Sequence, residues 1–224
     1  ESTHCALQWF YQELKIPNPE LSLFTESYTE DQSAHTDYLG CRARPEADWI
    51  LDVPRYEAME VAWETGKVER LRDVLQYQAE RGIENRMSGF LSSHDMERLP
   101  SRLLGPEARR AWMVVHLLLP GQPILYYGDE LAMPDSAVAT GQEVAQRGPM
   151  FWTDELHAGF TEGSPWFSID PIYLGGCNVE MQRRKTDSML NLVKRLMDLR
   201  LESGAIRQGR LVLPQVNDPG VLVF

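Results

Sequence analysis

The amino-acid sequence predicts an α/β fold built on parallel strands, and three observations predict it. Short apolar runs at 21–24, 49–53, 88–92 and 124–127 alternate with segments rich in helix formers. Strand, helix and strand in succession need a crossover connection, which sets the strands parallel. Each run also ends in ionisable residues: Glu26, Asp52 nearby, the pair His94-Asp95, and the pair Asp129-Glu130. Active sites in such folds lie at the carboxyl ends of the strands, so these groups are the first pointer to chemistry.

Residues 5–15 mix an apolar face with good helix formers, and Pro17 and Pro19 end that helix. The run 21–24 reads as a short buried strand closed by Thr25-Glu26. The polar stretch 27–47 predicts a loop with some helix. Trp49, Ile50, Leu51 and Val53 form the second strand, stopped by Pro54. Residues 55–80 are helical in composition and break at Thr65-Gly66. The third strand, 88–92, runs into Ser93-His94-Asp95. Gly105-Pro106-Glu107 then opens a helix. Proline fits the first turn, and an acid there meets the positive end of the helix dipole. Pro120-Gly121 ends it, and the fourth strand, 124–127, follows. Residues 134–180 are rich in Gly, Pro and aromatics and predict a long loop of the kind that carries function. Met189, Leu190, Val193, Leu196 and Met197 repeat at helical spacing within 187–200, with Asp187 or Ser188 as the cap. Two strands, 210–214 and 221–224, flank the turn Asn217-Asp218-Pro219-Gly220.

Composition narrows the partners. The chain has 224 residues, 43% hydrophobic and 25% charged, as folded globular proteins do. Its 22 Lys+Arg against 33 Asp+Glu leave a net charge of −11, which excludes nucleic acid, because phosphate binding needs clustered cations. No apolar run reaches the ~18 residues of a membrane span, and no basic leader with an apolar core opens the sequence. Cys5, Cys41 and Cys177 form no CxxC pair, so neither a zinc site nor a redox site is expected. Their odd number favours a reducing, cytoplasmic setting and leaves an extracellular one open. The chain starts at Glu1 without Met and stops inside the apolar run Val-Leu-Val-Phe. Both ends predict a piece of a longer polypeptide.

Four stretches and the segment that follows them carry a resemblance. They are Leu23-Phe24-Thr25-Glu26-Ser27-Tyr28, Phe90-Leu91-Ser92-Ser93-His94-Asp95-Met96-Glu97-Arg98, and the run from Pro120 to Met133 that contains Tyr126-Tyr127-Gly128-Asp129-Glu130. The fourth is Arg147-Gly148-Pro149-Met150-Phe151-Trp152 with His157-Ala158-Gly159-Phe160. With the helix at 187–200 after them, their order and spacing resemble the α-amylase and α-glucosidase family of glycoside hydrolases. Ser93 stands where that family usually has Asn, and Gly148 where it usually has Thr. The resemblance implies the C-terminal half of a (β/α)8 barrel, strands 5–8, in residues 1–204 with the loop 134–180. The start of an all-β C-terminal domain would occupy 205–224.

The resemblance also implies retaining hydrolysis or transglycosylation of α-glucosidic bonds in short malto- or isomalto-oligosaccharides or sucrose-like substrates. One carboxylate attacks the anomeric carbon while the other protonates the leaving oxygen. Glu26 would be the general acid/base, approached through the apolar Leu21, Leu23 and Phe24. Asp95 would stabilise the transition state, with His94 bonding the same sugar. No Gly-x-Arg-x-Asp context precedes Glu26, so the nucleophile would lie outside this chain, as would any calcium site. No cofactor or metal is expected within it. The oligosaccharide substrate and the remainder of the parent polypeptide are the expected partners.

Each residue also has a plainer reading. Glu26 would be a solvated loop acid and Asp95 a helix cap. Arg98 would hold a carboxylate near the substrate or make a surface salt bridge. Phe151, Trp152, Phe160 and Trp166 would form a sugar-stacking wall or pack the loop down. Asp52, Asp129, Glu130 and His116 are expected to be structural, and Tyr126 and Tyr127 to lie in the core. The main alternative function is a non-catalytic heavy-chain subunit of an amino-acid transporter, which shares this barrel, and the isolated chain is expected to be inactive.

Overall fold

The structure, a computed structural model, describes residues 2–29, 31–103, 105–141 and 143–224. They form two compact units. The first comprises Glu1–Gly89, Pro120–Pro123 and Ala205–Phe224, and the second Phe90–Leu119 and Ile124–Gly204.

The first unit begins with α1 (Ser2–Phe10), which runs into a π-helical turn at Tyr11–Lys15. Strand β1 (Phe24–Thr25), helix α2 (Gln32–Asp37) and the antiparallel pair β2 (Gly40–Cys41) and β3 (Arg44–Pro45) follow. Strand β4 (Trp49–Leu51) leads through α3 (Val53–Thr65) and α4 (Glu69–Arg81) to β5 (Met87–Ser88). The sheet order is β1-β4-β5, parallel throughout, with Thr25 opposite Ile50 and Ile50 opposite Met87. This is the predicted strand–helix–strand crossover. Leu39, Ile50 and Met87 form the apolar centre, with Tyr38 and Ile83 against it.

Pro54 starts α3 and does not merely stop β4. Asp52 is the cap, its carboxylate accepting from the Arg55 amide at 3.2 Å. The same carboxylate pairs with Arg55 Nε at 2.7 Å and accepts from Gln78 Nε2 at 3.0 and 3.1 Å. Arg55 also donates to Gln78 Oε1 and to the Pro120 carbonyl. All three side chains are buried. Asp52 is therefore structural, because a buried ion pair holds only while each charge keeps its partners.

Four predicted strands are corrected. Strand β1 is two residues long and not buried: Phe24 is 47% exposed, because β1 pairs with β4 alone among the described residues. Residues 124–127 enter no ladder. Within the first unit, the segment just before them touches β5 through Gln122 N donating to Met87 O at 3.0 Å. Residues 210–214 and 221–224 form no strands either. Their turn lies against α4, with Val68 N donating to Pro219 O and Arg72 Nη2 to Val221 O, both at 2.8 Å. Backbone groups that bond a helix have no register left for a hairpin, and a lone hairpin is marginal in water.

The second unit holds α5 (Leu99–Arg102), α6 (Pro106–Leu118), α7 (Val179–Arg183) and α8 (Met189–Glu202), and α9 (Gly204–Gln208) begins at its end. Helix α6 starts at Pro106, as predicted. Ser188, and not Asp187, caps α8 by accepting from Asn191 N at 3.2 Å. Arg200 of α8 donates to the carbonyls of Leu117 and Leu119, both at 2.9 Å, and so satisfies the open end of α6. His116 is buried and bonds the Ile124 carbonyl through Nε2 at 3.1 Å, the core role expected of it. A second apolar cluster, Leu131, Met133, Met150, Phe151 and Ala158, anchors the long loop. No helix among the described residues is long and apolar enough to cross a membrane.

Candidate active site

Glu26 follows β1 directly, at its carboxyl end, and is exposed. Its Oε1 accepts a hydrogen bond from the Tyr28 hydroxyl at 2.6 Å. The apolar approach expected around it is open: Leu21 and Phe24 both lie at the surface.

Asp95 lies in the second unit, in the irregular segment between Phe90 and α5. It caps no helix, since Arg98 occupies the cap position of α5 without a side-chain bond. Its carboxylate is held from two sides. Arg147 Nη2 donates to Oδ1 at 2.8 Å, and His94 Nε2 stands 3.2 Å from Oδ2. Arg147 Nε also donates to the His94 carbonyl at 2.9 Å, and the Ser93 hydroxyl accepts from the Asp95 amide at 3.1 Å. The Asp95 side chain is about half exposed, at 49%. An anion fixed by a cation yet open to solvent can meet the hydroxyls of a neutral ligand without first being desolvated. Arg147 was visible beforehand only as the first residue of the loop motif, and the fold brings it to His94-Asp95.

The expectation for Arg98 is corrected. Arg98 is 0% exposed and neither pairs with a surface acid nor faces solvent. Its Nη1 donates to Tyr127 O at 2.7 Å and its Nε to Gln146 O at 3.1 Å. The guanidinium lies over the rings of Tyr126 and Tyr127, 4.5 and 4.8 Å from their centroids. Its backbone N–H donates to both oxygens of Asp135. A buried cation spent on carbonyls and rings braces the backbone, here the residue next to Arg147.

Phe151 is also corrected. At 2% exposure it belongs to the apolar cluster under the loop and is out of reach of a ligand. Trp152 and Phe160, by contrast, expose 48% and 44% of their surface. Alternation along an irregular segment has no period, so the sequence could not tell the inward ring from the outward ones. Tyr127 is at the surface and not in the core, its hydroxyl donating to Gly148 O at 2.6 Å.

Asp129 is the group whose peculiarity the sequence does not reveal. It is buried, and burial pushes its carboxyl up to about 7. The Ser92 hydroxyl and the Arg98 guanidinium only partly offset this. No group of three or more His, Cys, Asp or Glu residues stands where it could hold a metal among the described residues. The three cysteines are free thiols.

Residues 2–209 match the model of the alpha-amylase catalytic domain. The trehalose synthase/amylase TreS of Mycobacterium tuberculosis is 36% identical over 114 residues, which cover 48% of this chain and 19% of that protein. The alpha-amylase of H. orenii superposes with a TM-score of 0.74 at 22% identity, over 95% of this chain and 42% of that one. The isomaltulose synthase of Klebsiella sp. LX3 gives 0.78 at 20% identity, over 96% and 46%. The chain thus spans about a fifth of the TreS protein and less than half of either solved structure. By the extent of the family match, and with solved structures of that family sharing its fold, the chain belongs to the alpha-amylase family, as part of its catalytic domain.

Proposed function

We propose that residues 1–204 are the C-terminal half of a (β/α)8 barrel, with 124–127 at the place of its last strand, in a retaining glycosidase or transglycosidase acting on α-glucosidic bonds of short oligosaccharides or disaccharides. Glu26 gives its proton to the leaving glycosidic oxygen and later takes one from the incoming water or acceptor hydroxyl. Asp95 receives hydrogen bonds from the sugar and offsets the positive charge that develops at the anomeric carbon. His94 donates to the same ring, and Trp152 and Phe160 offer exposed faces for stacking. The nucleophilic carboxylate comes from sequence outside this chain.

The observation that carries this reading is the Asp95 carboxylate, half exposed and held by both Arg147 and His94. A solvated surface acid has no need of two cationic or hydrogen-bonding neighbours. The relatives named trehalose synthase/amylase and isomaltulose synthase support α-glucosides as the substrate class. The test is turnover of maltose, isomaltose, trehalose and sucrose by the longer polypeptide that supplies the nucleophile and by its Glu26→Gln and Asp95→Asn variants. A loss of about 10²-fold or more in each variant is expected. Equal rates for the parent and Glu26→Gln would remove the acid/base assignment. No turnover by the parent would favour the non-catalytic transporter subunit.

A further inference from the structure

Arg147 fixes the Asp95 carboxylate, so its own place has to be fixed in turn. It ends a short 3-10 turn, Ala145–Arg147. A turn of that length has few hydrogen bonds and poor bond geometry, and it holds no position unaided. The next residue supplies no anchor of its own. Gly148 has no side chain, and a Cβ there would stand 3.3 Å from the Phe167 ring.

The carbonyls on both sides of Arg147 are held from elsewhere. Gln146 O accepts from Arg98 Nε at 3.1 Å and from the Tyr126 hydroxyl at 3.2 Å, one donor for each lone pair. Gly148 O accepts from the Tyr127 hydroxyl at 2.6 Å. We propose that Tyr126 and Tyr127 are positioning residues of the reaction: their hydroxyls hold the peptide groups flanking Arg147, so that its guanidinium meets Asp95. The inference rests on the reading of Asp95 as the carboxylate that meets the sugar.

The rings are fixed without help from the hydroxyls. They tilt against each other, with centroids 4.6 Å apart, and the Arg98 guanidinium lies over both. The hydroxyls are thus left to act on the loop. Tyr127 is 37% exposed, and its hydroxyl could bond water at no cost to the fold. It donates instead to one backbone carbonyl 21 residues away. Burial, and then the neighbouring Tyr127, push the Tyr126 hydroxyl well above its usual range, so it stays a donor at any neutral pH.

The tolerance at Arg147 is narrow. Its guanidinium serves two acceptors at once, the His94 carbonyl at 2.9 Å and Asp95 Oδ1 at 2.8 Å. A shift of about 1 Å in the backbone of 146–148 takes both bonds beyond the ~3.2 Å of a sound hydrogen bond. Misplacement of about that size at a reacting centre costs up to ~10²-fold in rate.

The test uses the longer polypeptide that supplies the nucleophile, with Tyr126→Phe, Tyr127→Phe, Arg147→Gln and the double variant Tyr127→Phe/Arg147→Gln. Phenylalanine keeps the rings and their contacts with Arg98 and removes only the hydroxyl. For whichever of the four sugars above turns over fastest, Tyr127→Phe should lower kcat about tenfold and leave KM within about twofold, as loss of a transition-state interaction does. Tyr126→Phe should cost less, because Arg98 still holds Gln146 O. In the Arg147→Gln background, Tyr127→Phe should cost nothing further, since the group it acts through is gone. A second readout needs no turnover. Solvent exchange of the Arg147 Nε–H, followed by NMR with isotope-labelled arginine and assigned by its loss in Arg147→Gln, should quicken about tenfold in Tyr127→Phe. With Asp95→Asn impaired, full kcat in Tyr127→Phe overturns the inference, and so does an equal loss with and without Arg147. Where the parent turns over none of the four sugars, or Asp95→Asn keeps normal turnover, the reading of Asp95 fails and the exchange rate decides alone. Unchanged exchange then overturns the positioning of Arg147, and faster exchange supports it.

Discussion

Replacing Asp129 with Asn should flatten the pH dependence of stability. Asp129 is 3% exposed; its Oδ2 accepts from Tyr126 N at 3.3 Å, and its Oδ1 has no hydrogen-bond partner among the described residues. Burial raises its carboxyl from 3.8 to about 7. The folded state therefore keeps a proton that the unfolded chain has already released. Stability from this group is intact below about pH 4, declines as pH rises, and levels off above about pH 7. Roughly three units at ~1.4 kcal/mol each give a total on the order of 4 kcal/mol. About one unit is spent by pH 5, so on the order of 3 kcal/mol is lost between pH 5 and pH 8. The Asn variant cannot ionise and escapes that loss. It carries instead a pH-independent penalty of about 1–3 kcal/mol for a buried amide donor without an acceptor. The variant should be close to or below the parent in stability at pH 5 and level with it or above at pH 8. Urea unfolding midpoints at half-unit intervals from pH 5 to 8 measure this directly. Parallel curves for the two proteins would refute the buried-proton argument, because every other titrating group is common to both.

Three further outcomes are expected. Gly121 has φ of 98°, and a Cβ there would press into the carbonyl oxygens of Met87 and Glu84, so Gly121→Ala should cost about 3 kcal/mol or more in thermal or urea unfolding. Ser188→Ala removes the cap of α8 and should lower stability by about 0.5–2 kcal/mol, read as a shift in the urea midpoint. Arg147→Gln removes a half-exposed ion pair worth at most about 1 kcal/mol, yet it should reduce α-glucoside turnover at least tenfold, because Asp95 loses its cation. Unchanged turnover in that variant would detach Arg147 from the site.

Local chemistry was legible wherever it acts within a few residues. Pro106 after Gly105 opened α6, the pair Asp187-Ser188 ahead of an apolar repeat marked the start of α8 without choosing between them, and Thr65-Gly66 marked the end of α3, where Gly66 adopts φ of 71°. Strand length was not legible. An apolar run becomes a strand only through a neighbour's hydrogen bonds, and 124–127 and 210–214 find none among the described residues. The aromatic loop divided for a similar reason. Phe151 and Trp152 are adjacent and equally apolar, but only the first meets the cluster around Met133 and Met150.

By itself, the sequence determined the order of the main helices, the parallel crossover of the first strands and the family. Periodicity, capping and motif order are written in residues close together in the chain. The sequence also placed ionisable groups at four apolar ends without ranking them. Tertiary structure ranked them through burial and partners. Asp52 disappeared into a salt-bridged network with Arg55, and Asp129 into a site that holds its proton. Glu26 stayed at the surface, and Asp95 remained open beside an arginine 52 residues away. Whether a carboxylate is available for chemistry depends on the water and charges around it, and those come from residues distant in the sequence.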